Sequence, residues 1–167
     1  MLLSPDLYVT DVLAIDLAAL ARSGVKALLI DIDNTLLPRD TSVFPPEFLE
    51  WVRSLPGAGF GVHFVSNNWH EHIHERAAEV GFPVVAKAAK PLPRGFREAA
   101  SRLGVTTREC AVVGDQIFTD ILGGNLVGAT TVLVQPLSVS DLPHTLVLRR
   151  IERVIMARRE PATRSGP

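Results

Sequence analysis

Short runs of apolar residues alternate along this chain with stretches in which apolar side chains recur at helical spacing. The apolar runs predict five buried strands, over 25–30, 61–65, 83–86, 110–113 and 130–134. The helical spacing predicts helices over 45–55, 69–80, 93–103 and 118–126, and a last helix over about 141–159. Strands that alternate with helices are typical of βαβ units. The pattern therefore predicts an α/β fold, with a mainly parallel five-stranded sheet between two layers of helices.

The length of the chain and the shortness of its linkers favour a single domain. The chain has 167 residues, no internal repeat and no linker long enough to divide it. We therefore expect one domain over 1–167, with its core at about 25–134. The polar tail at 160–167 is expected to be flexible.

Composition and charge exclude several classes of protein. Lys and Arg number 17 against 18 Asp and Glu, so no overall basic field is available to hold nucleic acid. The single Cys110 cannot form an internal disulfide. The apolar runs are too short to cross a membrane, and the first residues lack the positive start of a signal peptide. These features predict a cytoplasmic protein.

The first polar cluster, Asp31-Ile32-Asp33-Asn34-Thr35, directly follows the first predicted strand. Two carboxylates two residues apart on an extended backbone point to the same side. One could attack a substrate while the other transfers a proton. The alternative is that Asp and Asn only end the strand, since both are common in turns.

A second acidic cluster follows the fourth predicted strand and contains Asp115 and Asp120. With Asp31 and Asp33 it would bring four carboxylates into one cleft, where they repel each other. A hard divalent cation relieves this repulsion, and Mg²⁺ suits a site that also binds phosphate. The alternative is that Asp120 only caps a short helix or lies on its surface.

Two further clusters could bind an anion. Ser66-Asn67-Asn68 offers a hydroxyl and backbone N–H groups at a predicted helix start. Lys87 and Lys90 offer positive charge, although either could equally be solvated. Because the carboxyl ends of parallel strands meet at one edge of a sheet, we expect four loops to converge there: 31–35, 66–68, 90–91 and 114–120.

In this order the four clusters resemble the four motifs of the haloacid dehalogenase-like (HAD) phosphohydrolases. More narrowly, the runs 66–68, 90–97 and 114–125, the opening 5–9 and the basic last helix resemble the YqeG group of subfamily IIIA. That group is similar to the fungal mitochondrial phosphatidylglycerophosphatase. The resemblance implies a Rossmannoid HAD fold. About 30 residues separate Thr35 from Ser66, and 23 separate Ser66 from Lys90, so no large cap domain is expected.

The resemblance also implies roles for the clustered residues. Asp31 would be the nucleophile that forms an aspartyl-phosphate, and Asp33 would protonate the leaving group and then activate water. Mg²⁺ would be held by Asp31, the backbone carbonyl of Asp33, Asp115 and Asp120, the last directly or through water. The phosphoryl group would be bound by Ser66, Asn67 and Lys90, with Thr35 steadying the loop. Lys90 is preferred to Lys87 because it lies in the Lys-Pro motif of the group.

The implied substrate is a phosphomonoester, and phosphatidylglycerophosphate is the one that the resemblance suggests testing first. The alternatives are a soluble small-molecule phosphatase and a non-catalytic partner protein on a HAD scaffold. A phosphoacceptor receiver is disfavoured, because Asp33 would promote hydrolysis of the acyl-phosphate. A P-loop nucleotidase is excluded because the Gly-x-x-x-x-Gly-Lys-[Ser/Thr] motif is absent.

Two features leave the choice between a structural and a functional role open. Six arginines and two acids lie over 149–164, which suits either a packed helix with a solvated face or peripheral contact with anionic lipid at the inner membrane face. His70, His72 and His74 suit either a solvated helix face or a metal site. The sequence also leaves a homo-oligomer open.

Overall fold

The structure is a computed structural model that describes residues 2–41, 43–69, 72–138 and 161–163. Over these residues, six parallel strands form one sheet in the order β1-β6-β5-β2-β3-β4. The strands are β1 (Leu7–Val9), β2 (Ala27–Ile30), β3 (Gly61–Val65), β4 (Val84–Val85), β5 (Cys110–Gly114) and β6 (Thr130–Val134). The helices are α1 (Leu17–Arg22), α2 (Pro46–Ser54), α3 (His72–Val80), α4 (Pro93–Arg102) and α5 (Leu122–Val127).

Apolar side chains cover both faces of the sheet, which confirms the predicted α/β sandwich. Because side chains alternate along a strand, Leu28 and Ile30 of β2 pack on one face, while Ala27 and Leu29 pack on the other. The first face packs against α2 and α3, and the second face packs against α4. Helices on both faces bury the central strands β2 and β5 completely, as their continuous apolar sequences require.

The predicted strand count was one too low, because the pattern did not reveal β1. This strand has only three residues, Leu7-Tyr8-Val9, lies at the sheet edge and buries only Val9 well, so its apolar run is too short to be recognised as a strand. It is held by parallel pairing with β6 and by the Asp6 carboxylate, which accepts hydrogen bonds from the backbone N–H of Thr131 at 2.8 Å and from its hydroxyl at 3.0 Å. Both interactions join positions far apart in sequence.

Other differences concern the ends of elements. The short helix α1 was not predicted; it begins after Asp16, whose carboxylate accepts a hydrogen bond from the backbone N–H of Ala19 at 2.8 Å. The helix predicted over 118–126 is a π-helical turn, Ile117–Ile121, followed by α5. Within the part described, α3 begins at His72.

The C-terminal part of the chain is described only in one short piece. The predicted basic helix at about 141–159 lies outside the described residues. In the tail that was expected to be flexible, residues 161–163 are described. Ala162 donates a backbone hydrogen bond to Tyr8 at 2.8 Å and accepts one from Thr10 at 3.0 Å, so it pairs with the outer side of β1.

The sheet order places a crevice at the carboxyl ends of β2 and β5. From β2 the chain crosses to β3, and from β5 it crosses to β6 on the opposite side. The two connections diverge, which opens space above the junction of the two strands, the usual ligand position in an open α/β sheet. None of the helices among the described residues is long and apolar enough to span a membrane.

Candidate active site

Three buried carboxylates lie together at the crevice between β2 and β5. Asp31 follows β2, Asp115 follows β5, and Asp120 lies in the π-helical turn. One carboxylate oxygen from each lies within 4.8 Å of the others. All three residues are almost completely buried, so Asp120 is not a surface decoration of a helix.

The sequence around Asp120 explains how its side chain enters the site. The carboxylate accepts hydrogen bonds from the backbone N–H of Gln116 at 3.2 Å and from the Thr119 hydroxyl at 3.3 Å. A Cβ atom at Gly114 would collide with this carboxylate. Gly114, which directly precedes Asp115, is therefore needed because it leaves the space that Asp120 fills.

Lys90 supplies the positive charge of the cluster. Its Nζ donates hydrogen bonds to Asp31 Oδ1 at 2.6 Å and to Asp120 Oδ1 at 2.7 Å, and its side chain is only 3% exposed. Burial alone would lower the pKa of Lys90, but the charges of Asp120 and Asp31 outweigh burial and raise this pKa. The ammonium group therefore stays protonated.

The side chain of Asn67 holds Lys90 in place. Its Oδ1 accepts a hydrogen bond from the backbone N–H of Lys90 at 2.7 Å, and its Nδ2 donates one to the Lys90 carbonyl at 3.1 Å. The peptide bond between Lys90 and Pro91 is cis. Lys87 is exposed, and its Nζ lies 5.6 Å from the ring centroid of Trp69.

The negative charge of the cluster exceeds its positive charge. Burial raises the pKa of Asp31 well above 3.8; the charge of Lys90 lowers it, and the charges of Asp120, Asp115 and Asp33 raise it further. One ammonium group faces three carboxylates, so a further cation would stabilise their ionised forms. Oxygen ligands of this kind fit a hard divalent cation such as Mg²⁺ or Ca²⁺. The cluster therefore fits the divalent metal that the resemblance to the HAD phosphohydrolases implies.

The carboxylate of Asp33 does not join this cluster, unlike the four-carboxylate cleft that the spacing predicts. The backbone turns after Ile32, and Asn34 has a positive φ of 66°. Asp33 Oδ2 instead accepts hydrogen bonds from the Ser66 hydroxyl and from Asn68 Nδ2, both at 3.4 Å. The two acids of the motif thus face different partners.

The remaining candidate residues also lie at this edge of the sheet. Ser66 is fully buried, and its Oγ accepts a hydrogen bond from the backbone N–H of Asn68 at 3.0 Å. Thr35 is buried, and its hydroxyl forms no hydrogen bond with the residues that the structure describes. His72 and His74 are exposed on α3, and His70 lies outside the described residues.

Asn34 is a supporting residue that the sequence reasoning missed. It is fully buried, and its Oδ1 accepts hydrogen bonds from the backbone N–H and the hydroxyl of Ser138, both at 2.9 Å. Its Nδ2 donates to the Ser138 carbonyl at 3.2 Å. The only sequence signal was its position between Asp33 and Thr35, because its partner lies 104 residues away.

A cavity of about 330 Å³ opens beside Asp33. Asp33 and Asn68 form one part of its wall, and Arg39, His72 and Arg76 contribute cationic or titratable groups. The sequence reasoning did not identify this cavity, because its lining comes from the loop after β2, the loop after β3 and helix α3.

Comparisons with known proteins agree with this architecture. A family model described as HAD-hydrolase-like matches residues 87–136. The chain is 35% identical to a probable phosphatase, YqeG of Bacillus subtilis, over 92% of this chain and 89% of that protein. It is 32% identical to phosphatidylglycerophosphate phosphatase 1 of Arabidopsis thaliana over 92% of this chain, but it spans only 46% of that protein.

Solved structures show the same fold at low sequence identity. NagD from Escherichia coli superposes with a TM-score of 0.60 and 14% identity, over 83% of this chain and 95% of NagD. This likeness concerns the fold alone. The extended match to YqeG shows the family, so the chain belongs to the HAD-like phosphatases, in the group of YqeG.

Proposed function

We propose that this protein is a Mg²⁺-dependent phosphomonoester hydrolase that acts through an aspartyl-phosphate on Asp31. The observation that carries the proposal is the set of three buried carboxylates within 4.8 Å, with the Lys90 ammonium bonded to two of them. Burying like charges together costs free energy unless a cation neutralises them. Such clusters are therefore typical of sites that bind a cation together with a negatively charged ligand.

The nucleophile and the phosphate-binding groups follow from the contacts of Asp31. Lys90 favours the ionised form of Asp31, which must attack phosphorus as a carboxylate. The ammonium group of Lys90, the Ser66 hydroxyl and the backbone N–H of Asn67 would bind phosphoryl oxygens, while the Asn67 side chain positions Lys90. Thr35 is proposed to steady the loop.

Asp33 is proposed to be the general acid and base. In the first step the Asp31 carboxylate forms a bond to phosphorus, the bond to the leaving oxygen breaks, and that oxygen takes a proton from Asp33. In the second step Asp33 accepts a proton from water as the water oxygen attacks the aspartyl-phosphate, which releases phosphate and regenerates Asp31. The separation of Asp33 from the other carboxylates supports this division of roles.

Magnesium would be held by the carboxylates of Asp31, Asp115 and Asp120, with the backbone carbonyl of Asp33. Bound there, it would offset negative charge on the transferring phosphoryl group.

The Arabidopsis relative's name suggests phosphatidylglycerophosphate as the substrate. Exposed apolar side chains flank the site loops: Trp69, after Asn68, is 75% exposed, and Leu92, after Lys90-Pro91, is 60% exposed. Together with exposed Lys87, they would suit contact with an anionic lipid surface at the inner membrane face. The basic segment at 141–159 could extend that contact.

A soluble phosphomonoester is the second candidate substrate, and the small cavity beside Asp33 favours it.

Phosphate release tests the proposal. The wild type and Asp31→Asn are assayed with Mg²⁺ and with EDTA, on p-nitrophenyl phosphate, soluble sugar phosphates and phosphatidylglycerophosphate in mixed micelles. Asp16→Asn is the matched control, because asparagine can also cap α1. We expect release by the wild type and the control with Mg²⁺, and loss of at least about a thousandfold in Asp31→Asn. A folded wild type that hydrolyses none of these substrates would favour a non-catalytic partner.

A further inference from the structure

A cavity lies beside Asp33, the residue that is proposed above as the general acid. A general acid must lie within hydrogen-bond reach of the leaving oxygen. Under the proposed function that acid is Asp33, so the group attached to the leaving oxygen lies next to Asp33. The cavity of about 330 Å³ has Asp33 in its wall, at the low end of the volume range of small-molecule sites.

The charged groups around the cavity differ from those around Asp31. Among the described residues that line the cavity, Asp33 carries the one carboxylate, and Arg39, Arg76 and His72 are the basic residues. Arginine binds phosphate and carboxylate through paired hydrogen bonds. The cavity therefore has the chemistry of an anion site, although the phosphoryl group that reacts is bound at Asp31 and Lys90.

The known contact of Arg76 does not prevent it from binding a ligand. Its Nη1 donates a hydrogen bond to Glu79 Oε2 at 3.1 Å on the same helix, with side chains 35% and 48% exposed. Ion pairs with this exposure are weak. A phosphate group in the cavity could therefore replace or share this contact at little cost.

We propose that Arg39, His72 and Arg76 form a leaving-group subsite that binds a second anionic group of the substrate. The inference rests on the proposed function, because Asp33 as the acid places the leaving group here. The substrate class is then a phosphomonoester whose leaving alcohol carries a phosphodiester or a second phosphate ester. Phosphatidylglycerophosphate and a soluble headgroup share this chemistry, and the cavity binds the headgroup in both.

A matched pair of substrates isolates the second anion. Glycerol 3-phosphate has a neutral leaving alcohol, whereas the phosphate monoester of glycerophosphoglycerol carries a phosphodiester on the same glycerol. We expect the wild type to prefer the second substrate by at least tenfold in kcat/KM. Arg39→Gln and Arg76→Gln should each lower this preference about tenfold, since each removes charged hydrogen bonds. Arg39→Lys and Arg76→Lys should retain part of it.

Arg102→Gln is the matched control. Arg102, like Arg76, is a helix arginine bonded to a glutamate of its own helix, at 2.6 Å to Glu98 Oε1, but it lies on α4 and outside the cavity lining. This variant should keep the wild-type preference. A preference that is absent in the wild type, or that survives in both Arg→Gln variants, would overturn the subsite.

A lipid arm and a binding arm separate the remaining outcomes. With phosphatidylglycerophosphate in mixed micelles, a loss of activity confined to the lipid substrate would mean that the arginines contact the lipid surface, and the subsite would be rejected.

Calorimetric titration with glycerophosphoglycerol, which has no phosphate monoester, measures binding without turnover. If the wild type binds it and the Arg→Gln variants bind at least tenfold more weakly, the subsite stands even where phosphate release fails and the proposed function falls. Unchanged binding would reject the subsite.

Discussion

Removing the charge of Lys90 should reveal how much the stability of the folded protein depends on one buried cation. In Lys90→Met the side chain keeps its length, but the ammonium that contacts Asp31 at 2.6 Å and Asp120 at 2.7 Å is lost. The Lys90 side chain is 3% exposed, and those of Asp31 and Asp120 are 8% and 2% exposed, so water cannot replace the contact. Loss of one partner from a buried ion pair costs about 3–5 kcal/mol. For a domain of this size, that cost lowers Tm by about 6–20 °C.

The loss of stability caused by Lys90→Met should depend on pH, and the direction of this dependence follows from the pKa shifts of Asp31 and Lys90. The pKa of Asp31 is raised in the folded protein, so its contribution to stability is complete below about pH 3.8 and is lost as pH rises through the folded pKa. The raised pKa of Lys90 keeps its contribution complete up to about pH 10.5. Without Lys90 the pKa of Asp31 rises further. The Tm difference should therefore be small near pH 4 and grow towards pH 8.

Thermal melting in EDTA from pH 4 to pH 8 measures this difference, with far-ultraviolet circular dichroism to verify that both proteins fold. Lys26→Met is the matched control. The Lys26 Nζ also lies 2.6 Å from a carboxylate, that of Glu109, but the two side chains are 64% and 31% exposed. This exposed pair should contribute far less. If Lys90→Met lowered Tm no more than Lys26→Met, or by the same amount at every pH, the electrostatic account of the cluster would be refuted.

Three further substitutions test the geometry of the site and its surroundings. Gly114→Ala should push the carboxylate of Asp120 out of the cluster, and we expect a loss of about 1–3 kcal/mol in chemical denaturation together with weaker Mg²⁺ binding by calorimetry. Asn67→Ala removes both side-chain hydrogen bonds to the Lys90 backbone, and it should lower kcat/KM about tenfold or more in phosphate-release assays. Trp69→Ser should lower the rate on anionic vesicles several-fold more than the rate on a soluble phosphomonoester; equal losses would argue against membrane contact by this side chain.

The sequence predicts the centre of this fold well because the central strands of the sheet are buried on both faces. Four of them, β2, β3, β5 and β6, appear in the pattern as apolar runs, so the positions after them could be identified as one sheet edge. Asp31, Ser66 and Asp115 lie there as expected. Their assignment to catalysis and binding stays a proposal.

What the pattern could not provide depends on contacts between distant positions. The bonds of Asp6 to Thr131 and of Asn34 to Ser138 span more than 100 residues. The cavity beside Asp33 is a similar case, because Arg39 lies in a loop and Arg76 on α3. From the sequence alone, arginines at such positions are interpreted as solvated surface charges. Only the tertiary structure shows that both line the same cavity.

The sheet order gives a physical reason why two acids two residues apart can have different roles. Strand β2 lies between β5 and β3, and the Asp31 backbone N–H donates to Val113 of β5 at 2.9 Å. Asp31 thus joins the acidic residues that follow β5, whereas Asp33 meets Ser66 after β3. A carboxylate held among other carboxylates and Lys90 suits a nucleophile beside a metal. A carboxylate outside that cluster, half-exposed and bordering the cavity, can exchange protons with a leaving group and with water. The central position of β2 is therefore what allows one short loop to supply both groups.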